Sequence, residues 1–189
     1  MKWLAIIFLA VVLVACNNSG EQETSLENTP EISLQRIKEM DDSLNVLVQK
    51  SMNEPDFEID RLAYHEAAMR SIDFYKNFPE HDFAPEALEK ASAMYMAINL
   101  DQRAADWRDT LIENYPNFIR ILDILELQKA VYDNFDTYNP EMIKKYSHMM
   151  LDLGDKLPAK KREEIEFRLE HIELDFLELA ILQNPDLPL

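Results

Sequence analysis

The stretch from Ala84 to Pro116, APEALEKASAMYMAINLDQRAADWRDTLIENYP, decides the fold. It reads as two helical runs joined near Asn99 to Gln102. Pro85 suits a first helical turn, where its missing N–H costs nothing, and Tyr115-Pro116 stops the second run. Sliding the chain by 37 residues brings Ala67-Ala68 onto Ala104-Ala105, Phe74-Tyr75 onto Leu111-Ile112, and Phe78-Pro79 onto Tyr115-Pro116. One helix pair is therefore repeated, and a period of this size marks a solenoid, in which each unit buries its apolar face by stacking on the next. Ala91, Ser92 and Ala104 are small enough to let paired helices approach closely. Tyr95 and Trp107 are large enough to fill the space between pairs.

Outward from this segment the punctuation is proline rather than glycine. The chain has two glycines, Gly20 and Gly154, too few to build β-hairpins, so an all-α domain is expected over 32–189. Seven antiparallel helices follow from the periodicity. The first runs from about Ile32 to Ser51 on a stripe of Ile37, Met40, Leu44 and Leu47, and the second from about Glu58 to Asn77. The third spans about Ala84 to Ile98 and the fourth ends near Asn114. A fifth, about Asn117 to Asn134, carries Ile119, Leu122, Leu125 and Val131. Asn139-Pro140 reads as an N-cap and first residue of a sixth, closed by Gly154. Pro158 opens the last and longest, whose Ile165, Leu169, Ile172, Phe176 and Leu179 are spaced 4, 3, 4 and 3. Such a helix either caps the solenoid or forms a short coiled-coil seam; the cap, and with it a monomer, is the expectation.

The N-terminus has a different character. Lys2, the 12 apolar residues from Trp3 to Val14, and then Ala15-Cys16 have the layout of a secretory signal. Twelve residues reach only about 18 Å as a helix, short of the roughly 30 Å core of a bilayer. Leu13-Val14-Ala15-Cys16 resembles the lipobox of bacterial lipoproteins, which implies a signal peptide at 1–15 and acylation of Cys16, palmitate included. The polar stretch from Asn17 to Glu31 then reads as a flexible tether, so that 16–31 links lipid to folded body. Asn17 after the cysteine resembles an outer-membrane sorting signal, which implies an anchored protein on the periplasmic face.

Composition excludes several functions. Cys16 is the single cysteine, so an acylated chain has no thiol for a disulfide or a thiolate metal site. The formal net charge is −17, one more negative once Lys2 leaves, and the only basic clusters, Lys144-Lys145 and Lys160-Lys161-Arg162, lie among acids. A phosphate backbone would be repelled, so no nucleic acid is expected as partner. His65-Glu66 begins like a zincin motif, but Met69 stands where the second histidine belongs. Two glycines allow no phosphate-cradling loop, and the serines lack a nucleophile-elbow context. The chain is expected to hold no metal and no cofactor and not to be an enzyme.

Leu88, Tyr95, Ala104 and Pro116 fall at consensus positions of a tetratricopeptide repeat, which the Ala84 to Pro116 segment resembles without a gap. Its opening Ala-Pro-Glu-Ala-Leu and closing Tyr-Pro are similar to repeats in two outer-membrane families, the tetratricopeptide lipoprotein of the β-barrel assembly machine and the periplasmic coordinator of the Tol-Pal system. The resemblance covers about Leu62 to Asn117. Three positions depart from it: Ser92 stands where the repeat usually has glycine, and Arg108 and Leu111 replace an aromatic residue and an alanine. The family implies a tetratricopeptide-like solenoid that acts as a protein-binding adaptor or scaffold of the cell envelope; the alternative is a solute-binding lipoprotein for glycan or peptide. The expected partner-binding residues are Tyr64, Arg70, Tyr95 and Arg103, although aromatic residues of a solenoid also serve its core.

Overall fold

The computed structural model describes residues 28–54 and 57–184. The signal peptide, Cys16 and residues 16–27 of the tether lie outside them. Eight α-helices and no strand are found among the described residues: α1 Pro30–Asn53, α2 Arg61–Asn77, α3 Ala84–Ala97, α4 Asp101–Asn114, α5 Ile121–Tyr132, α6 Pro140–Leu151, α7 Ala159–Glu170 and α8 Phe176–Gln183. The protein is all-α. From α1 to α7 each helix packs on the next in sequence, and the short connections turn neighbours antiparallel.

Local chemistry sets most of the boundaries. Helix α1 starts two residues before the expected Ile32, because the Thr29 hydroxyl accepts from the N–H of Ile32 and Pro30 occupies the first turn. Pro30 and Glu31 thus belong to the helix and not to the tether. Asp60 caps α2 by accepting from Ala63 N at 3.0 Å. Asn99 takes the left-handed conformation (φ 56°), which asparagine tolerates, and lets α3 reverse into α4 without a glycine. Asn139 caps α6 by accepting from Met142 N at 3.2 Å. Gly154 has φ +60° but opens a 3₁₀ turn beyond the end of α6.

The small residues do what their size allows. Ala68, Ala91 and Ala104, fully buried with Ile72 and Tyr95, bring α2, α3 and α4 into close contact, and Trp107 packs over this cluster and the next. That next cluster runs from Leu88 through Leu111, Ile124 and Leu125 to Tyr146 and Met150, joining α3 to α6. Helix α1 closes the other end with Ile37, Met40 and Leu44, and Lys90 of α3 reaches Asp41 at 2.7 Å.

Two expectations fail. The fifth helix begins at Ile121 rather than Asn117, since Phe118 and Ile121 donate to the carbonyls of Tyr115 and Phe118 in successive turns; Ile119, expected on the buried stripe, is 87% exposed. The long C-terminal capping helix does not exist as one element. It breaks at His171 to Asp175 into α7 and α8, which makes the helix count eight. Asp175 and Glu178 form a reciprocal capping box that starts α8. Arg168, 4% exposed, donates Nη1 to His171 O at 2.7 Å and Nη2 to Leu174 O at 3.0 Å. The same guanidinium holds Asp133, with Nε and Nη2 at 2.9 and 2.8 Å from Oδ1. Tyr138 adds a hydrogen bond from its hydroxyl to Ile172 O. An unbroken coiled-coil seam from Ile165 to Leu179 is therefore ruled out.

Burial alone would raise the Asp133 carboxyl, but the hydrogen bonds from Arg168 and the charge of Lys129 outweigh it and hold the group below the usual carboxylate range. A depressed folded pKa contributes stability that is complete above the unfolded value of about 3.9 and is lost as the pH falls through the folded value. Asp133→Asn should therefore cost about 1.5–3 kcal/mol at neutral pH. In denaturant titrations the gap between wild type and variant should shrink as the pH is lowered below about 4; a gap independent of pH would contradict the ion pair.

Ala104 lies where α4 meets α2 and α3, with no surface exposed. Ala104→Phe should overpack this contact and cost about 1–3 kcal/mol, while Glu113→Gln on the exposed face of α4 should cost under about 0.5 kcal/mol. Thermal melts compare the two, and equal shifts would contradict the close approach.

Candidate functional site

Of the four residues expected to bind a partner, three gather at one end of the α2–α4 unit. Tyr95 is 2% exposed and belongs to the core; its hydroxyl faces the Met69 sulfur at 3.6 Å. The Arg103 guanidinium lies 5.8 Å from the Tyr95 ring and 3.4 Å from His65 Nε2, and His65 meets Tyr95 edge to face at 5.8 Å. Tyr64 is half-buried between this cluster and α1. Arg70 is turned elsewhere: Nε and Nη2 grip Glu66, and Nη1 donates to Arg36 O at 2.9 Å. The structure thus makes Tyr95 a packing residue and leaves Arg103 as the exposed member of the group. Among the described residues no three His, Cys, Asp or Glu side chains converge as a metal site requires.

Ser92 and Arg108 join Gln128, Tyr146 and Asp109, to which the sequence assigns no role, in a buried network. Arg108 is 1% exposed, at the position where the repeat resemblance expects an aromatic ring. Its Nη1 donates to Ser92 Oγ at 3.0 Å and its Nε to Gln128 Oε1 at 2.7 Å. The Gln128 amide donates in turn to Ala105 O at 3.2 Å and to the Tyr146 hydroxyl at 3.4 Å. Tyr146 then donates to Asp109 Oδ1 at 2.5 Å. Burial draws the Arg108 pKa down and drives the Tyr146 hydroxyl well above its ordinary value, with the Asp109 hydrogen bond adding to the latter. Two departures from the repeat, Ser92 and Arg108, are therefore one device. A serine in place of glycine supplies the acceptor that an arginine in place of an aromatic needs.

Two adjoining concavities lie along the edge where the α2–α3, α4–α5 and α6–α7 turns meet; others lie at the C-terminal end of α1 and between α1 and α2. Between the first two turns is a cleft of about 400 Å³, walled by Pro79, Pro116, Tyr115 and Phe118 and bearing Glu80 and Asp82. Tyr115 spans the turns by donating its hydroxyl to Pro79 O at 2.6 Å. His81 is oriented there by accepting from Phe83 N at Nδ1, 3.0 Å. A second cleft of about 220 Å³ adjoins it at Pro116 and is apolar, lined by Ile112, Ile121, Leu125, Met149 and Leu153, with Asp152 at its rim. Arg120 on the intervening turn pairs with Glu89, whose carboxyl is pushed up by burial against the opposing pull of that guanidinium. The sequence signal for this edge is the recurrence of aromatic-proline pairs at Phe78-Pro79 and Tyr115-Pro116, which marks both helix ends and the repeat.

No protein-family model, curated protein or solved structure matches the chain.

The buried network makes a quantitative expectation. Ser92→Ala removes an acceptor from Arg108 and should cost about 1 kcal/mol in the wild type. In an Arg108→Met background the same substitution should cost almost nothing, which amounts to a coupling energy of about 1 kcal/mol. Urea unfolding of the four proteins in the cycle measures it; additive effects would show that the serine and arginine act independently.

Proposed function

We propose that the chain is a noncatalytic protein-binding adaptor of the cell envelope, carried on the periplasmic face of the outer membrane by a lipid on Cys16 and built as a tetratricopeptide-like stack. The observation that carries this reading is the serial packing of α1 to α7, which leaves two adjoining clefts along the turn edge. Stacked helix pairs serve as extended binding surfaces for peptides and subunits. The repeat residues Leu88, Tyr95, Ala104 and Pro116 support the tetratricopeptide assignment, and all but Pro116 are buried. Leu13-Val14-Ala15-Cys16 supports the anchor. The acidic surface, with its short basic clusters, favours a protein partner over nucleic acid.

Only a thiol accepts the diacylglyceryl group of a lipoprotein anchor, so Cys16→Ser should leave the precursor unprocessed or free the protein from membranes. Membrane fractionation reads the outcome, and unchanged processing with unchanged attachment would defeat the anchor. Photocrosslinking from exposed positions in intact cells should give a discrete protein adduct. Failure at every surface position would defeat the adaptor.

A further inference from the structure

We propose that the paired clefts on the turn edge are the partner site, and that they take a peptide segment in which an apolar side chain is flanked by lysine or arginine. This rests on the adaptor reading and deepens it by naming the chemistry of the ligand. The smaller cleft, with Ile112, Ile121, Leu125, Met149 and Leu153, offers a side chain mainly apolar contacts, with Asp152 as its one charged group. The larger one offers Glu80 and Asp82 beside the Tyr115 ring, the combination that holds a guanidinium or ammonium by charge and by the ring face. Three carboxylates, Glu80, Asp82 and Asp152, line the two clefts, and no lysine or arginine lines either. Two cations stand close by and both are engaged: Arg120 stacks on Phe118 at 5.3 Å and pairs with Glu89, and Arg162 donates Nη2 to Gly154 O at 3.0 Å. Pro116 borders both clefts, so one short segment fills the two together. The net charge of −17 adds a long-range field of the same sign, which steers a basic segment towards the edge.

The peptide arm of the test uses the full-length chain in detergent and a labelled peptide made of alternating lysine and leucine pairs. Two counterparts replace every leucine by serine or every lysine by glutamate. The lysine-leucine peptide should bind at least about tenfold more tightly than either counterpart. Asp152→Lys, and Glu80→Lys combined with Asp82→Lys, should each weaken it by about tenfold or more. Glu163→Lys, the same change of charge per site on the exposed face of α7, should weaken it less than about twofold. Equal losses at Glu163 would reduce the effect to diffuse attraction and overturn the site. Equal binding of the serine peptide would remove the apolar cleft from the account, and equal binding of the glutamate peptide the carboxylates; either overturns the proposal. In cells, a photocrosslinker at Met149 should trap the partner. Adducts from other faces but none from Met149 would overturn this site and leave the adaptor standing, while no adduct from any position would overturn both.

Discussion

A guanidinium sealed in the middle of the stack, with no carboxylate in its hydrogen-bonding shell, constrains everything from α3 to α6. Arg108 sits on α4 and reaches Ser92 on α3 and Gln128 on α5; Gln128 hands the chain of hydrogen bonds to Tyr146 on α6, and Tyr146 returns it to Asp109. Desolvating such a cation is costly, so the surrounding dipoles must be placed to within hydrogen-bonding tolerance or the arrangement is lost. An apolar interface would accept a helix shifted or rotated by a fraction of a turn. This one does not, because a displaced α5 would leave the guanidinium facing hydrocarbon.

The second buried arginine works by the opposite arrangement. Arg168 has a carboxylate of its own, Asp133, and a pair of carbonyls from the turn that it helps to form. Its charge satisfies the last carbonyls near the end of α7, where the helix dipole favours a cation. Removing Asp133 exposes the cost of burying that charge, whereas Ser92 and Gln128 share the burden around Arg108 between neutral groups. The first arginine locks neighbouring helices in register, and the second decides where a helix ends.

Much of this architecture was legible, and for identifiable reasons. Asn139-Pro140 and Pro85 are signals that act within a few residues, and the helices they open begin where expected. The small residues of the repeat were also readable, since Ala104 has few roles at a helix crossing other than contact. The break at His171 to Asp175 was hidden because the 4-3-4-3 stripe passes through it without glycine or proline. Two cues stood in the chain all the same: Asp175 and Glu178 have the spacing of a capping box, and Arg168 lies within reach of the carbonyls that the break releases. Ile119 was misplaced for a similar reason. A 3.6-residue pattern continues formally through a turn in which the backbone no longer does. Burial of Arg108 was beyond single-sequence reasoning, because the partners that permit it, Ser92 and Gln128, lie on two other helices.

The aromatic-proline pairs join the repeat to the clefts. The prolines after α2 and α4 halt those helices and cannot donate from their nitrogens, so the two turns present ring and carbonyl surface instead of a hydrogen-bonded backbone. Phe78-Pro79 and Tyr115-Pro116 therefore place proline at equivalent points on the same edge, and stacking brings them face to face. The Tyr115 hydroxyl then closes on Pro79 O and sets the separation of the two turns. The first aromatic of the series, Phe78, packs inward against Phe74 at 5.3 Å, because it has no preceding proline turn to span. The cleft thus arises where the α2–α3 turn meets the α4–α5 turn. Glu80, Asp82 and Asp152 could differ without disturbing the stack, since they sit outside the core clusters.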